Sequence, residues 1–115
     1  MELNKNFHYD EEYDNLIVSQ RDENDIVKKN FLFDDFVFSV TEDGKIVGIE
    51  IMDVTNYFEE LGINPRVIKE IKRVEISVKP KRDFIYIGLN LVTKEVEQKV
   101  PLIHVPIKTI QYAHI

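Results

Sequence analysis

Apolar residues recur along this chain in short runs of period two, broken by clusters of Asp, Asn, Gly and Pro. Such spacing puts alternate side chains on one face of a strand, while the polar clusters supply turns. Phe7 to Tyr9 and Asn15 to Ser19 read as a hairpin around Asp10-Glu11-Glu12-Tyr13-Asp14, where short carboxylates accept local backbone N–H groups. After a turn at Arg21 to Asp25, an extended stretch runs from Ile26 to Phe33. Phe36, Phe38 and Val40 share one strand face. Asp43-Gly44 then predicts a tight hairpin, because glycine takes the positive φ that such a turn demands. The returning strand carries Val47, Ile49 and Ile51 on one face and Glu50 on the other.

The period changes in the middle. Asp53 or Thr55 can cap a helix through Leu61, with Tyr57, Phe58 and Leu61 on one side and Gly62 at the left-handed C-terminal position. Asn64-Pro65 restarts a helix, and from Arg66 to Arg73 the residues Val67, Ile68 and Ile71 form an apolar stripe beneath basic neighbours. Strands resume at Val74 to Lys79, Phe84 to Leu91, Val96 to Val100 and Leu102 to Ile110. Pro101 and Pro106 cannot donate to a ladder, so this last region belongs on a sheet edge or carries a bulge.

These elements predict one α+β domain over residues 1–115. Two antiparallel β-meanders, 7–53 and 73–110, are joined by two short helices within 54–72. Phe36, Phe38, Val47, Ile49, Ile51, Val74, Ile76, Ile85 and Ile87 lead the shared core. An offset of 69 residues lays Asp14 to Val18 on Asp83 to Ile87, Val27 on Val96, Phe31 on Val100, Phe36 on Val105 and Phe38 on Ile107. Either an internal duplication or a common strand-turn rhythm produces that match, which fails at Tyr112-Ala113, opposite Asp43-Gly44.

Charge divides the chain. Residues 1–62 hold sixteen acidic side chains against five basic, and residues 63–115 hold five against ten, within a net charge of −6. Halves of opposite sign either attract one another or face partners. A hydrophobic fraction of 43% with 31% charged residues is that of a globular domain. The absence of cysteine excludes thiol nucleophiles, Cys-type zinc sites and disulfides. Met1 to Asn6 contains no apolar leader and no run is long enough to span a bilayer, so a soluble cytoplasmic protein is expected.

Catalytic chemistry finds little footing. His8, Asp10, Glu11, Glu12 and Asp14 are dense in ligand types, but they lack the ordered alternation of a cation loop. His8, His104 and His114 are too dispersed for zinc. Ser19, Ser39 and Ser77 lie in strands without a nucleophile elbow, and the four glycines are too scattered to cradle phosphate. No enzyme, metal or cofactor is expected. The basic group Arg66, Lys69, Lys72, Arg73, Lys79, Lys81 and Arg82 is the better candidate, for phosphate or for an acidic protein surface. No aromatic residue is interleaved among them in sequence.

Tyr9-Asp10, Asp14 with Leu16-Ile17-Val18, and above all Asp43-Gly44-Lys45-Ile46-Val47-Gly48-Ile49-Glu50-Ile51 followed by Asp53 carry a family resemblance. Over residues 7 to 60 the chain resembles the small bacterial and archaeal proteins grouped as domain of unknown function 2283. The resemblance implies a compact antiparallel β protein with a short helix after its last hairpin. It marks Tyr9, Asp10, Asp14, Leu16, Asp43, Gly44, Gly48 and Glu50 as structural motif residues and brings no catalytic site. Members often neighbour small toxin-like proteins, which implies an antitoxin-like or partner-binding role. The basic helix and second strand set extend beyond the family pattern.

The expectation is a non-catalytic interaction protein, self-associating as a homodimer or higher through a strand edge, with its acidic half taking a small basic protein. Nucleic-acid binding through the basic half is the alternative. A small-molecule site between the meanders is the third reading.

Overall fold

In a computed structural model, residues 6–106 are described, Val105 by its backbone alone. Eight strands form two sheets. β1 (Phe7–Asp10), β2 (Asn15–Ser19), β3 (Val27–Phe33), β4 (Phe36–Thr41) and β5 (Ile46–Ile51) make the first; β6 (Ile71–Pro80), β7 (Phe84–Thr93) and β8 (Glu97–Pro106) make the second. Helix α1 (Val54–Glu60) and a 3-10 helix (Pro65–Glu70) connect them. All pairings are antiparallel.

The second sheet is a meander, β6-β7-β8, but the first is not: its order is β1-β2-β5-β4-β3. β5 returns between β2 and β4 instead of adding to an edge. The reason lies in its composition, since every residue of Ile46-Val47-Gly48-Ile49-Glu50-Ile51 except Glu50 is apolar and buried, which suits a central position. Gly48 makes this fit possible. A Cβ there would lie 3.2 Å from the Ser39 side chain and 3.5 Å from the Val18 carbonyl oxygen. The 69-residue offset lays β2 on β7 and β3 on β8. β7 and β8 are hydrogen-bonded neighbours, whereas β2 and β3 have two strands between them, so the rhythm repeats without the topology.

Two expected elements change form. A basic helix over Arg66 to Arg73 is replaced by the 3-10 helix, after which β6 begins at Ile71. Three residues per turn still put Ile68 and Ile71 on one side, so both are buried as the apolar stripe requires. Asn64 caps this turn by accepting from the Arg66 N–H at 3.0 Å. Nor does the last region break at Pro101: β8 runs through it as one ten-residue edge strand, with a bulge where its register shifts opposite Ile87/Gly88. The edge placement leaves proline's missing donor without consequence. The expected continuation to Ile110, together with Ile107, Tyr112-Ala113 and His114, lies outside the described residues.

One apolar core joins both sheets and both helices. Leu16, Val18, Phe36, Phe38, Ile49, Ile51, Phe58, Val74, Ile87, Leu91 and Val100 are buried in it. Ile76 and Ile85 pack against it only partly buried. Polar side chains make the rest of the joint. Asn6 behaves like a short stretch of strand at the free edge of β6, accepting from the Val74 N–H at 3.2 Å and donating to its carbonyl. Gln20 accepts from the Ile76 N–H at 2.8 Å. On the opposite edge, the Tyr57 hydroxyl of α1 donates to the carbonyl of Pro101. The first half thus stoppers both edges of the second sheet.

Candidate interaction surfaces

The β1–β2 turn organises the first half through Asp14. This residue sits at φ 56°, a left-handed conformation that Asp tolerates because its short side chain bonds locally. Its carboxylate accepts from the Tyr9 hydroxyl at 2.7 Å, the Thr55 hydroxyl at 2.7 Å and the Thr55 N–H at 3.1 Å, while its carbonyl accepts from the Val54 N–H at 3.0 Å. Asp14 therefore caps α1 from forty residues away. Asp53, at φ 55°, occupies the N-cap position without a side-chain cap bond, and Thr55 donates instead of capping. Burial alone would raise the Asp14 carboxyl pKa, but the hydrogen bonds outweigh it and hold the group below the usual range. The Tyr9 hydroxyl, donating to that carboxylate and partly desolvated beside it, is pushed up to about 12.

The other motif residues also have local work. Asp10 accepts from the N–H groups of Glu12 and Tyr13 at 3.1 and 3.3 Å, the expected Asx turn. Leu16 is fully buried. Asp43 accepts from the Thr41 hydroxyl at 2.6 Å, and Gly44 holds φ 88° in the same turn. Glu50 accepts from the Asn15 amide at 3.1 Å.

Every one of these contacts stabilises a strand end, a turn or a cap.

Residues 6–54 match the family model described as protein of unknown function, DUF2283. The match runs from just before β1 to the first residue of α1, so it covers the first sheet with the Tyr9–Asp14 turn and includes Asn6 and Gln20, which hold the β6 edge, but stops short of Tyr57. No curated protein and no solved structure matches the chain. Among the described residues, no group of three His, Asp or Glu side chains is placed to hold a metal ion, and no helix is long and apolar enough to cross a membrane.

Outside the DUF2283 segment, the basic group does not form one surface. Lys69 pairs with Glu11 at 2.7 Å, and both side chains are largely exposed. Lys72 stands at the start of β6, while Lys81 and Arg82 lie in the turn beyond its far end, a strand length of roughly 30 Å away. Arg66 lies on the 3-10 helix, at a third location. Only Arg73 and Lys79 share a face, the outer face of the second sheet.

That face carries what sequence spacing does not display. Antiparallel register sets Lys79 opposite Tyr86 and Tyr86 opposite His104. The Lys79 ammonium lies 5.9 Å from the Tyr86 ring centroid; the His104 ring lies 5.6 Å from Tyr86 and 4.6 Å from Phe84. Tyr86 folds over Gly88, where a Cβ would meet its hydroxyl at 2.5 Å, so the glycine clears the bed in which the ring lies. Lys99 of β8 faces the same side, opposite Asn90, whose amide donates to Glu75 and Glu97 at 3.2 and 3.4 Å.

The four sheet edges are unequal. β8 carries two prolines and the Tyr57 contact; β6 is plugged at Val74 and Ile76; β1 has four residues. β3 is the longest edge with neither prolines nor a covering side chain among the described residues; its bulge between Val27 and Lys29 and its two lysines lie in its first half, away from Asn30 to Phe33. Its side chains are exposed at Lys28, Lys29, Asn30 and Leu32, the last 65% accessible.

Proposed function

We propose that this chain is a non-catalytic interaction module that self-associates by pairing β3 with β3 of a second copy. The open part of the β3 edge, Asn30 to Phe33, carries the reading. Its hairpin with β4 closes over two residues, Phe33 opposite Phe36, so Leu32 and Asn30 turn their N–H and C=O groups to the open side. An antiparallel dimer centred on Phe31 sets Leu32 against Asn30 and brings Lys28 opposite Asp34. Centring one residue earlier would oppose Asp25 to Asp35 instead, which like-charge repulsion disfavours. Pairing also covers Leu32, which is exposed on the outer face beside the half-buried Val37.

The charge poles support a second layer of the same function. Among the described residues a single salt bridge, Lys69–Glu11, joins the acidic and basic halves, so their opposite charges are left for other molecules. Together with the resemblance of residues 6–54 to DUF2283, this charge supports an antitoxin-like role in which the acidic half holds a small basic protein; charge of this kind sets partner choice and encounter rate.

Leu32→Lys tests the edge directly, because a lysine on a strand edge opposes pairing and the side chain is already solvated. Light scattering on a size-exclusion column should show a dimer for the wild type and a monomer for the variant, with unchanged circular dichroism. A wild type that stays monomeric at the highest attainable concentration would overturn the reading.

A further inference from the structure

We infer that the outer face of the second sheet binds single-stranded nucleic acid, with Tyr86 and the Phe84–His104 pair stacking bases and Lys79, Lys99 and Arg73 neutralising phosphates. Three observations converge on this ligand. Aromatic rings stand at alternate positions of β7, about 7 Å apart, with the β8 imidazole against both, so flat groups are presented in a row on a rigid sheet. Exposed single-stranded bases stack on such rings with little regard to sequence, whereas bases inside a duplex are not available to them.

Charge surrounds the rings on the side where a backbone would run. Lys79 stands within cation–π reach of Tyr86 on β6, and Lys99 lies across on β8. A groove of about 650 Å³ opens beside the rings, lined by Asn6, Gln20, Arg73, Lys79, Tyr86 and Lys99. Its cations outnumber the one acid on its wall, Glu75, which is itself engaged by Arg73 at 3.2 Å and by Asn90. Lys81 and Arg82 are exposed in the β6–β7 turn, outside the groove. Sixteen of the chain's twenty-one acidic side chains lie in residues 1–62, so an acidic protein would find the cations here, but it would leave the ring row unused. The surface is separate from the β3 edge and stands whether or not that edge pairs.

Fluorescence anisotropy of the full chain with a labelled oligothymidylate or oligouridylate, titrated between about 50 and about 200 mM salt, decides the matter. Binding should weaken steeply with salt, and the same sequence annealed into a duplex should bind less tightly. Tyr86→Ala should weaken binding by roughly tenfold, the worth of one lost stack, and Lys79→Ala should lower the salt slope by about one. Since the Tyr86 ring fills the bed over Gly88, Tyr86→Phe serves as the folded control and should keep most of the affinity. Absence of salt-dependent binding would overturn the inference. So would equal affinity for duplex or for polyglutamate, which would mark a polyanion surface without stacking. A Lys79→Ala, Lys99→Ala double variant that binds as tightly as wild type would do the same.

Discussion

Phe38→Ala should cost about 3–5 kcal/mol, the largest loss expected from any single truncation in this chain. Phe38 is fully buried on β4, flanked by Phe31 on β3 and Ile49 on β5. Its ring packs 5.3 Å from that of Phe31 and 6.2 Å from that of Phe36, both tilted, so truncation removes aromatic contacts as well as burial. Neighbours held in a five-stranded sheet cannot collapse into the space. Against a total stability on the order of 5–15 kcal/mol, the loss would lower the urea midpoint sharply while leaving the slope unchanged. Phe38→Leu keeps much of the volume and should cost less than about 1.5 kcal/mol.

The same experiment tests whether the core is shared. Val74, Ile87, Leu91 and Val100 of the second sheet lie in one apolar cluster with Phe38. A perturbation centred in the first sheet should therefore shift one common transition. Far-ultraviolet dichroism and tyrosine fluorescence, to which Tyr86 of the second sheet contributes, should move together. Two separated transitions would mean that Asn6, Gln20 and Tyr57 join two units that melt independently.

How much of this architecture is legible in the sequence depends on the range of the interaction. Period-two runs locate β1 to β7, though not the start of β6, and split β8 in two at Pro101, because the pleat is a local property: Phe36 and Phe38 are buried together as their spacing requires. The Asx turn at Asp10 and the Gly44 turn are equally local. Order within the sheet is not. Nothing next to Ile46–Ile51 announces that it enters between β2 and β4, except that Glu50 is its one polar residue and Gly48 leaves room for Ser39. Proximity points to Asp53 or Thr55 as the cap of α1, yet the carboxylate that performs it arrives from Asp14 across a hairpin.

The ring-and-lysine face illustrates the same limit. Lys79 and Tyr86 are neighbours only after the β6–β7 turn sets their register, and His104 joins them from a third strand. A scan for aromatics interleaved with basic residues along the chain finds none. Folding Arg73-Glu75-Ser77-Lys79 back against Phe84-Tyr86-Gly88-Asn90 about the Pro80 to Asp83 turn would have revealed the pairing, since both series alternate at period two. Conversely, Lys72 and Lys81 look close in a list and stand at opposite ends of a ten-residue strand.

Asp14→Ala should destabilise the fold by about 2–3 kcal/mol, because it strips acceptors from the Tyr9 hydroxyl and from the first turn of α1 and puts alanine at positive φ. Asp14→Asn keeps a short polar side chain suited to that backbone and should recover part of the loss. The pH dependence follows from the two shifts. Asp14 has a lowered pKa in the fold, so its contribution is present above the ordinary carboxylate value of about 4 and fades as pH falls through the folded value. Tyr9 is raised to about 12, so its contribution is complete below the ordinary phenol value of about 10 and is lost as pH rises from there through 12. Tyr57, raised mainly by desolvation, adds to the same alkaline limb, which makes the difference between wild type and Tyr9→Phe the informative quantity. Tyr9→Phe should cost about 1 kcal/mol at neutral pH and shrink the alkaline loss. Asp14→Ala should flatten the acid limb and the Tyr9 part of the alkaline limb together, since each group's shift depends on the other. Urea midpoints of the three proteins across pH measure both limbs, and an alkaline limb identical in wild type and Tyr9→Phe would show that this hydroxyl does not tie the β1–β2 turn to the helix.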